Sequence, residues 1–327
     1  MHIIISRTDA IGDVCLTLPA IGWVKHFYPD CKITMLVSEY AAPLAQACRW
    51  VDHVAALPKK PTVGNVTHLL KELSADRIIH VYPNRLLSKS SKLAGIPERA
   101  GVFGRWYHWI YCNQFIWLRR SGSQHHESYL NLLLIAKSLK IDAPDVSSFL
   151  NNFVHWGGLP AWQAKDSLHI ILHPFSRGSG REWPIENFAA LAHRLIEFGL
   201  MPVMCGTAVE GEYFKKDIQL FPPGVVLAFG NDSLSDYIKR ITSCVGLVAS
   251  GTGPLHIASM TGCPAFGIFP PKTGINSLRW GGIGPHATNF ESAIQCETAC
   301  SNQHCACMSS ISAARVFQKI KGELNVI

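Results

Sequence analysis

Short apolar runs alternate along most of the chain with segments whose apolar positions recur at helical spacing. In the first half "HIII", "KITMLV", "HVAAL", "RIIHVY" and "RAGVF" read as strands, with helices such as "VCLTLPAIGWVKHF" between several of them. In the second half "LHIILH", "MPVMC", "GVVLA", "VGLVAS" and "PAFGIF" read the same way. Nearly continuous apolar strands joined by helical crossovers predict parallel sheets covered on both faces. The stretch from Asn151 to Asp166, "NNFVHWGGLPAWQAKD", interrupts the alternation with Gly, Pro and polar residues, and a strand restarts it. The expected architecture is therefore α/β, two doubly wound domains facing a central cleft. The first covers residues 1–158, the second 159–310, and a closing helix 311–327. Gly157, Gly158 and Pro160 offer one hinge strand for closing the cleft, and the chain before Ile311 offers the other.

Composition narrows this picture. A chain of 327 residues suits two domains of ordinary size, and 48% hydrophobic with 16% charged residues describes a well-packed globular protein. No apolar stretch is long enough to span a bilayer, and no charged region precedes Ile3 to Ile5, so a cytoplasmic location is expected. The 11 cysteines are an odd count, and Cys15, Cys48, Cys205 and Cys244 sit in apolar segments, as buried thiols rather than a disulfide framework would. A formal charge of +7 favours an anionic partner without naming one.

In doubly wound sheets ligands bind beyond the carboxyl ends of the strands. Four turns there carry chemistry. "SGTGPLH" opens a helix with Pro254 in its first turn, and Gly251, Gly253 and Thr252 ahead of the helix N–H groups suit a diphosphate or a plain tight turn. "HPFSRGSGREWP" adds a Gly/Ser-rich loop with Arg177 and Arg181, whose planar forks bind phosphate oxygens. "CGTAVEGE" carries Glu210, placed to accept from ribose hydroxyls, with Glu212 close by as an ordinary helix-start acid. The first turn, "SRTDAIGD", differs: it has the single Gly12 and an acid, Asp13, where a phosphate would otherwise dock. Such an acid is also an ordinary helix N-cap, and the two roles are compatible.

Absences matter as well. There is no Walker-type loop, no Gly-x-Gly-x-x-Gly after the first strand, and no Asp-x-Asp pair to hold a divalent metal against a sugar nucleotide. A leaving diphosphate would then be neutralised by cations and helix ends.

The segments "GDVCLTLPAI", "LAGIPERAGVFGR", "REWPIENFAAL" and "SGTGPLHIASMTGCPAFGIF", in this order and spacing, resemble the ADP-heptose:lipopolysaccharide heptosyltransferase family, glycosyltransferase family nine, over nearly the whole chain. The resemblance implies a GT-B fold with the acceptor on the N-terminal domain and the ADP-sugar on the C-terminal one. It also implies inversion at the anomeric carbon without a metal, no cofactor beyond the donor substrate, and a last helix that packs across to the first domain. By the same resemblance Asp13 is the general base, Ser176 a phosphate-contacting hydroxyl, and Arg181 the stand-in for a lysine against the donor phosphates. Glu210 becomes the ribose acid, Thr252 and Gly253 the diphosphate turn, and His256 its neighbour one turn on. Well-known members carry an acid where this chain has Gly251, which leaves the identity of the transferred sugar open at this stage.

Arg7, Arg85, Lys89 and Arg105, with Lys92 and Arg99 nearby, fit an acceptor rich in phosphate and carboxylate, such as an anionic inner-core glycolipid. Peripheral contact with the inner face of the inner membrane would follow from such an acceptor, and no nucleic-acid partner is expected. The aromatic stretch "GRWYHWIYCNQFIWLRR" reads as packing with one interfacial face; a core-and-loop role is preferred, and contact with a membrane is the alternative. In the tail, Cys296, Cys300, Cys305, Cys307 and His304 lack the paired short-gap spacing of a zinc ribbon; no chemical role is assigned to them, and metal binding is the lesser reading. Two other readings stand beside a transferase: a GT-B sugar-nucleotide epimerase or hydrolase, and a non-catalytic nucleotide-sugar-binding protein.

Overall fold

The structure, a computed structural model, describes residues 1–163, 167–176, 178, 180–230, 232–296 and 305–324. It divides into two compact units, Met1–Leu159 and Pro160–Ile327. Arg177, Cys300 and His304 lie outside the described residues.

The first unit is a parallel sheet of β1 (His2–Ser6), β2 (Lys32–Ser38), β3 (His53–Leu57), β4 (Arg77–His80), β5 (Glu98–Val102) and β6 (Gln114–Ile116), in the order β3-β2-β1-β4-β5-β6. Ile4 lies opposite Thr34 on one side and Ile78 on the other. Ile3, Ile4 and Ile5 are fully buried, as a central strand with both faces covered requires. Each such side chain contributes about 1.5–3 kcal/mol. The connections leaving β1 and β4 run to opposite sides, so the crevice beyond their carboxyl ends is a topological switch point. The Asn151–Asp166 break is partly helical, Phe153–Gly157. Gly158 ends that helix with φ +66°, and its carbonyl accepts from the Arg49 N–H at 2.9 Å. A Cβ there would lie 2.4 Å from the Trp50 ring, so this expected hinge glycine is packed into the first unit.

The second unit repeats the plan with β7 (His169–His173), β8 (Met201–Gly206), β9 (Val226–Phe229), β10 (Gly246–Ser250), β11 (Ala265–Phe269) and β12 (Ala287–Glu291), in the order β12-β11-β10-β7-β8-β9. Its switch point falls between β7 and β10, which pair directly. The last helix, Ala313–Leu324, buries Val316 and Ile320 in one cluster with Phe188, Leu191 and Leu195 of the helix Ile185–Glu197. Its apolar face is thus used in the core of the second unit. Among the described residues no helix is long and apolar enough to cross a membrane.

Candidate functional site

In the first unit the Arg7 N–H donates to Leu36 O, extending the β1–β2 ladder one residue past β1. Arg7 thus emerges at the carboxyl edge of the sheet, yet only 4% of its side chain is exposed. Its guanidinium pairs with Asp13 Oδ1, lies 2.8 Å from Asp9 Oδ1 and 3.7 Å from Glu127 Oε1, and donates to Asn131 Oδ1 at 3.2 Å. Glu127 and Asn131 stand four residues apart on one face of the helix Glu127–Leu139. Arg120 reaches both of them, Asn131 Oδ1 at 2.9 Å. Asn131 Nδ2 donates in turn to Leu16 O and Thr17 Oγ1, both at 3.2 Å, fixing the helix against the turn that carries Asp13.

Burial works against the charge on Arg7, but the carboxylates of Asp13, Asp9 and Glu127 outweigh it and raise its pKa. Two arginines therefore face three carboxylates. Asp13 is the third residue of the short helix Ile11–Cys15, whose N-cap position is Ala10 and has no side-chain cap. The N-cap role is thus not the one Asp13 performs; its carboxylate is held by Arg7. Arg7 itself is corrected from an acceptor-facing cation to the group that pins the candidate base.

Burial pushes the Asp9 carboxyl from 3.8 up to about 6, with Asp13 adding to the rise and Arg7 opposing it. An unfolded carboxyl ionises at the lower value. The folded state therefore loses stability as pH rises from about 4 to 6, by about 2–3 kcal/mol, and the deficit is constant above. Asp9→Asn, neutral throughout, should gain on the parent chain between pH 4 and pH 8. Urea unfolding at the two pH values measures this; an equal offset at both would show that Asp9 ionises normally.

In the second unit the turns after β7 and β10 meet. The Trp183 N–H donates to Ser250 Oγ at 3.0 Å, and a Cβ on Gly180 would lie 3.2 Å from Gly251 O. Ser176 is buried; its N–H and hydroxyl both donate to Glu182 Oε1, at 2.6 and 3.0 Å, closing the Gly-rich loop on itself. Arg181 stands partly buried between that closure and Trp183, whose ring is 1% exposed and donates to Ile311 O at 2.8 Å. Thr252 precedes the helix Gly253–Thr261, and its buried hydroxyl has no hydrogen-bond partner among the described residues. His256 is buried in the same helix.

Glu210 is also buried, but its Oε2 accepts from the Thr207 N–H at 2.7 Å and the Thr207 hydroxyl at 2.9 Å, a capping box at the head of the helix Ala208–Phe214. One oxygen of the expected ribose acid is thus occupied locally. Beside it, burial pushes His173 down to about 4, only partly offset by Glu210, so the ring is neutral; its Nδ1 shares a hydrogen bond with the Tyr237 hydroxyl at 3.1 Å. Gly251 has a packing reason. A Cβ there would lie 2.3 Å from Cε1 of the buried Phe269 ring, so no side chain, acidic or otherwise, fits without displacing that ring.

The family model for glycosyltransferase family 9 (heptosyltransferase) matches residues 129–308, more than half the chain. The chain belongs to glycosyltransferase family 9. A Haemophilus influenzae protein described no further than as a glycosyltransferase is 27% identical over 301 residues, 85% of each chain. A lipopolysaccharide core heptosyltransferase of the same species is 21% identical over 90% of this chain and 86% of its own length. Among solved structures, Escherichia coli ADP-heptose lipopolysaccharide heptosyltransferase II superposes with a TM-score of 0.78 at 17% identity, covering 100% of this chain and 99% of its own. A family 9 glycosyltransferase from Veillonella parvula gives 0.81 at 18% identity, over 100% and 97%. These likenesses show the GT-B class of fold: two doubly wound α/β units.

Within this family 9 enzyme, the structure brings Ser176, Arg181, Thr252, Gly253 and His256 to one switch point and Asp13 to the other. The remaining expected acceptor cations behave differently from one another. Arg99 donates to Tyr111 O at 2.8 Å and to Pro97 O at 3.2 Å, and Lys92 donates to Ile110 O at 2.9 Å, so both tie loops. Arg85 lies 5.0 Å from the Trp106 ring centroid, while Lys89 and Arg105 are exposed. Sequence reasoning missed Asp9, Arg120, Glu127, Asn131 and Glu182. Asp9 and Glu182 stand in the quoted turns, but Arg120, Glu127 and Asn131 reach the site only through tertiary packing.

Proposed function

We propose that this chain transfers heptose from ADP-heptose, with inversion and without a catalytic metal, onto a sugar of an anionic lipopolysaccharide-core glycolipid. The relatives named for lipopolysaccharide heptosyl transfer support the substrate class. The observation that carries the mechanism is Asp13, one carboxylate oxygen held by the buried Arg7 at the first unit's switch point. That pairing holds and orients the Asp13 carboxylate, with Oδ2 left to take the proton of the acceptor hydroxyl. The acceptor oxygen attacks the anomeric carbon as the bond to the ADP oxygen breaks on the opposite side, which inverts the centre. The departing diphosphate gains charge, met by Arg181, the Thr252 hydroxyl and the N–H groups opening the helix Gly253–Thr261. The ribose falls to Glu210 Oε1.

Arg181→Ala should weaken ADP binding by about 1.5–3 kcal/mol, the range for a hydrogen bond to a charged group. Isothermal titration with ADP measures it, and an unchanged affinity would remove Arg181 from the donor site. Turnover should be the same with magnesium added or withheld.

The acceptor's lipid accounts for an aromatic surface more exposed than a core-and-loop role predicts, in line with the interfacial alternative. Phe103, Trp106, Trp109, Ile110, Phe115 and Trp117 are exposed, Trp117 by 72%. Phe103 packs at a tilt against both Trp109 and Trp117, with ring centroids 5.3 and 5.0 Å apart. From Tyr82 to Gln124 the chain holds Arg85, Lys89, Lys92, Arg99, Arg105, Arg119 and Arg120 against one acid, Glu98. Exposed aromatics in a cation-rich segment, with Arg85 set over the Trp106 ring, suit the interface of an anionic bilayer, in this reading the inner face of the inner membrane. Trp109→Ser with Trp117→Ser should lower cosedimentation with phosphatidylglycerol-containing vesicles roughly tenfold or more. Equal binding by parent and variant would contradict the assignment.

A further inference from the structure

The described tail of the second unit gathers three sulfurs that the transferase reading does not use. The Sγ atoms of Cys296, Cys305 and Cys307 all lie within 4.8 Å of one another, and Cys305 and Cys307 are 2.7 Å apart. Among the described residues this is the one group of three or more such side chains able to share an ion. Cys305 and Cys307 are buried and Cys296 packs against the same core cluster, alongside Met308, Ile311 and Trp183. Zinc–thiolate bonds of about 2.3 Å set tetrahedral sulfurs about 3.8 Å apart, longer than the 2.7 Å Cys305–Cys307 contact and inside the 4.8 Å within which all three sulfurs lie. Thiolates without carboxylates select a soft divalent cation over magnesium or calcium.

We propose that Cys296, Cys305 and Cys307 ligate a structural divalent cation of the zinc type, in a tetrahedral shell completed by a fourth donor. On binding, the three thiols release their protons to solvent and three metal–sulfur bonds form, with no change of oxidation state. The cation staples the chain after β12 to the short helix Ala306–Ser309. Two residues beyond that helix is Ile311, whose carbonyl receives the Trp183 indole N–H. Trp183 in turn fixes the donor turn through Ser250. The staple thus stiffens the support of the diphosphate turn, and the metal stands outside the chemical step. The metal site itself does not depend on the heptosyl-transfer reading.

The test is elemental analysis of the full-length chain, purified under reducing conditions and free of any metal-binding tag. About one zinc or iron per chain is expected, and cobalt substitution should show thiolate-to-metal charge-transfer bands. The paired change Cys305→Ser with Cys307→Ser should abolish the metal and the cobalt bands, while Cys48→Ser, elsewhere in the core, keeps both. Should the paired variant fail to fold, Cys296→Ser at the half-buried edge is measured against a chromogenic chelator, and earlier metal release than from the parent chain is expected. A parent chain that takes up no stoichiometric metal after reconstitution would overturn the proposal. So would a metal indifferent to these cysteines, or an intact mass lighter by a pair of hydrogens and restored by reductant, which would mark a disulfide instead.

Discussion

Replacing Asp13 with Asn is expected to abolish sugar transfer while leaving ADP affinity nearly unchanged. The change removes the proton acceptor but keeps an oxygen for Arg7, so the turn after β1 retains its shape. Asp13 is not a side-chain cap of its helix, so the substitution has little to cost there. Loss of a carboxylate base lowers turnover by roughly a hundredfold to ten-thousandfold. Donor binding is assigned to the second unit and should not notice. Near-normal turnover in the Asn variant, measured as acceptor-dependent ADP release, would remove Asp13 from the base role.

Arg7→Met should be the most destabilising single change in the first unit. The side chain keeps its bulk, but Asp9, Asp13 and Glu127 lose the cation they share, with Arg120 left to serve Glu127 alone. Removing one partner of a buried charge cluster costs about 3–5 kcal/mol. That is a drop of roughly 6–20 °C in the unfolding temperature of a unit this size. Arg7→Lys retains the charge but not the fork that reaches several groups, so it should fall between the two. Thermal unfolding reads the total, and hydrogen exchange along β1 and the helix Glu127–Leu139 locates it. A loss below about 1 kcal/mol would place the cluster with ordinary surface ion pairs.

Much of the fold is legible because both sheets are parallel and doubly covered, so ten of their strands are written as apolar runs such as Ile3-Ile4-Ile5 and Leu247-Val248-Ala249. The two strands that escape, β6 and β12, lie at sheet edges with a single buried residue each, Ile116 and Phe290, and so carry no periodic signal. The donor turns are legible since their chemistry is local: Gly, Ser, Thr and Arg within a few residues after a strand. The surroundings of Asp13 are not, because Arg7 meets Glu127 and Asn131 across more than a hundred residues of chain. Burial direction is the hardest to read. "RWYHWIY" has the composition of a core segment, yet on a six-residue helix beside an edge strand it fully buries only His108 and leaves its two tryptophans exposed. The last helix is ambiguous in sequence for a related reason, since an amphipathic face states that it is buried but not against what. Gly251 is a case where a missing acid reads as altered chemistry, while the Phe269 ring explains it by packing.

Incubation of the chain with ADP-heptose and a defined lipopolysaccharide-core acceptor, followed by mass and NMR analysis of the products, tests the transfer most directly. The predicted result is an acceptor heavier by one heptose residue, joined with inverted anomeric configuration, and ADP released only when acceptor is present. Release of ADP and free sugar without acceptor, or donor binding with no turnover in its presence, would contradict it.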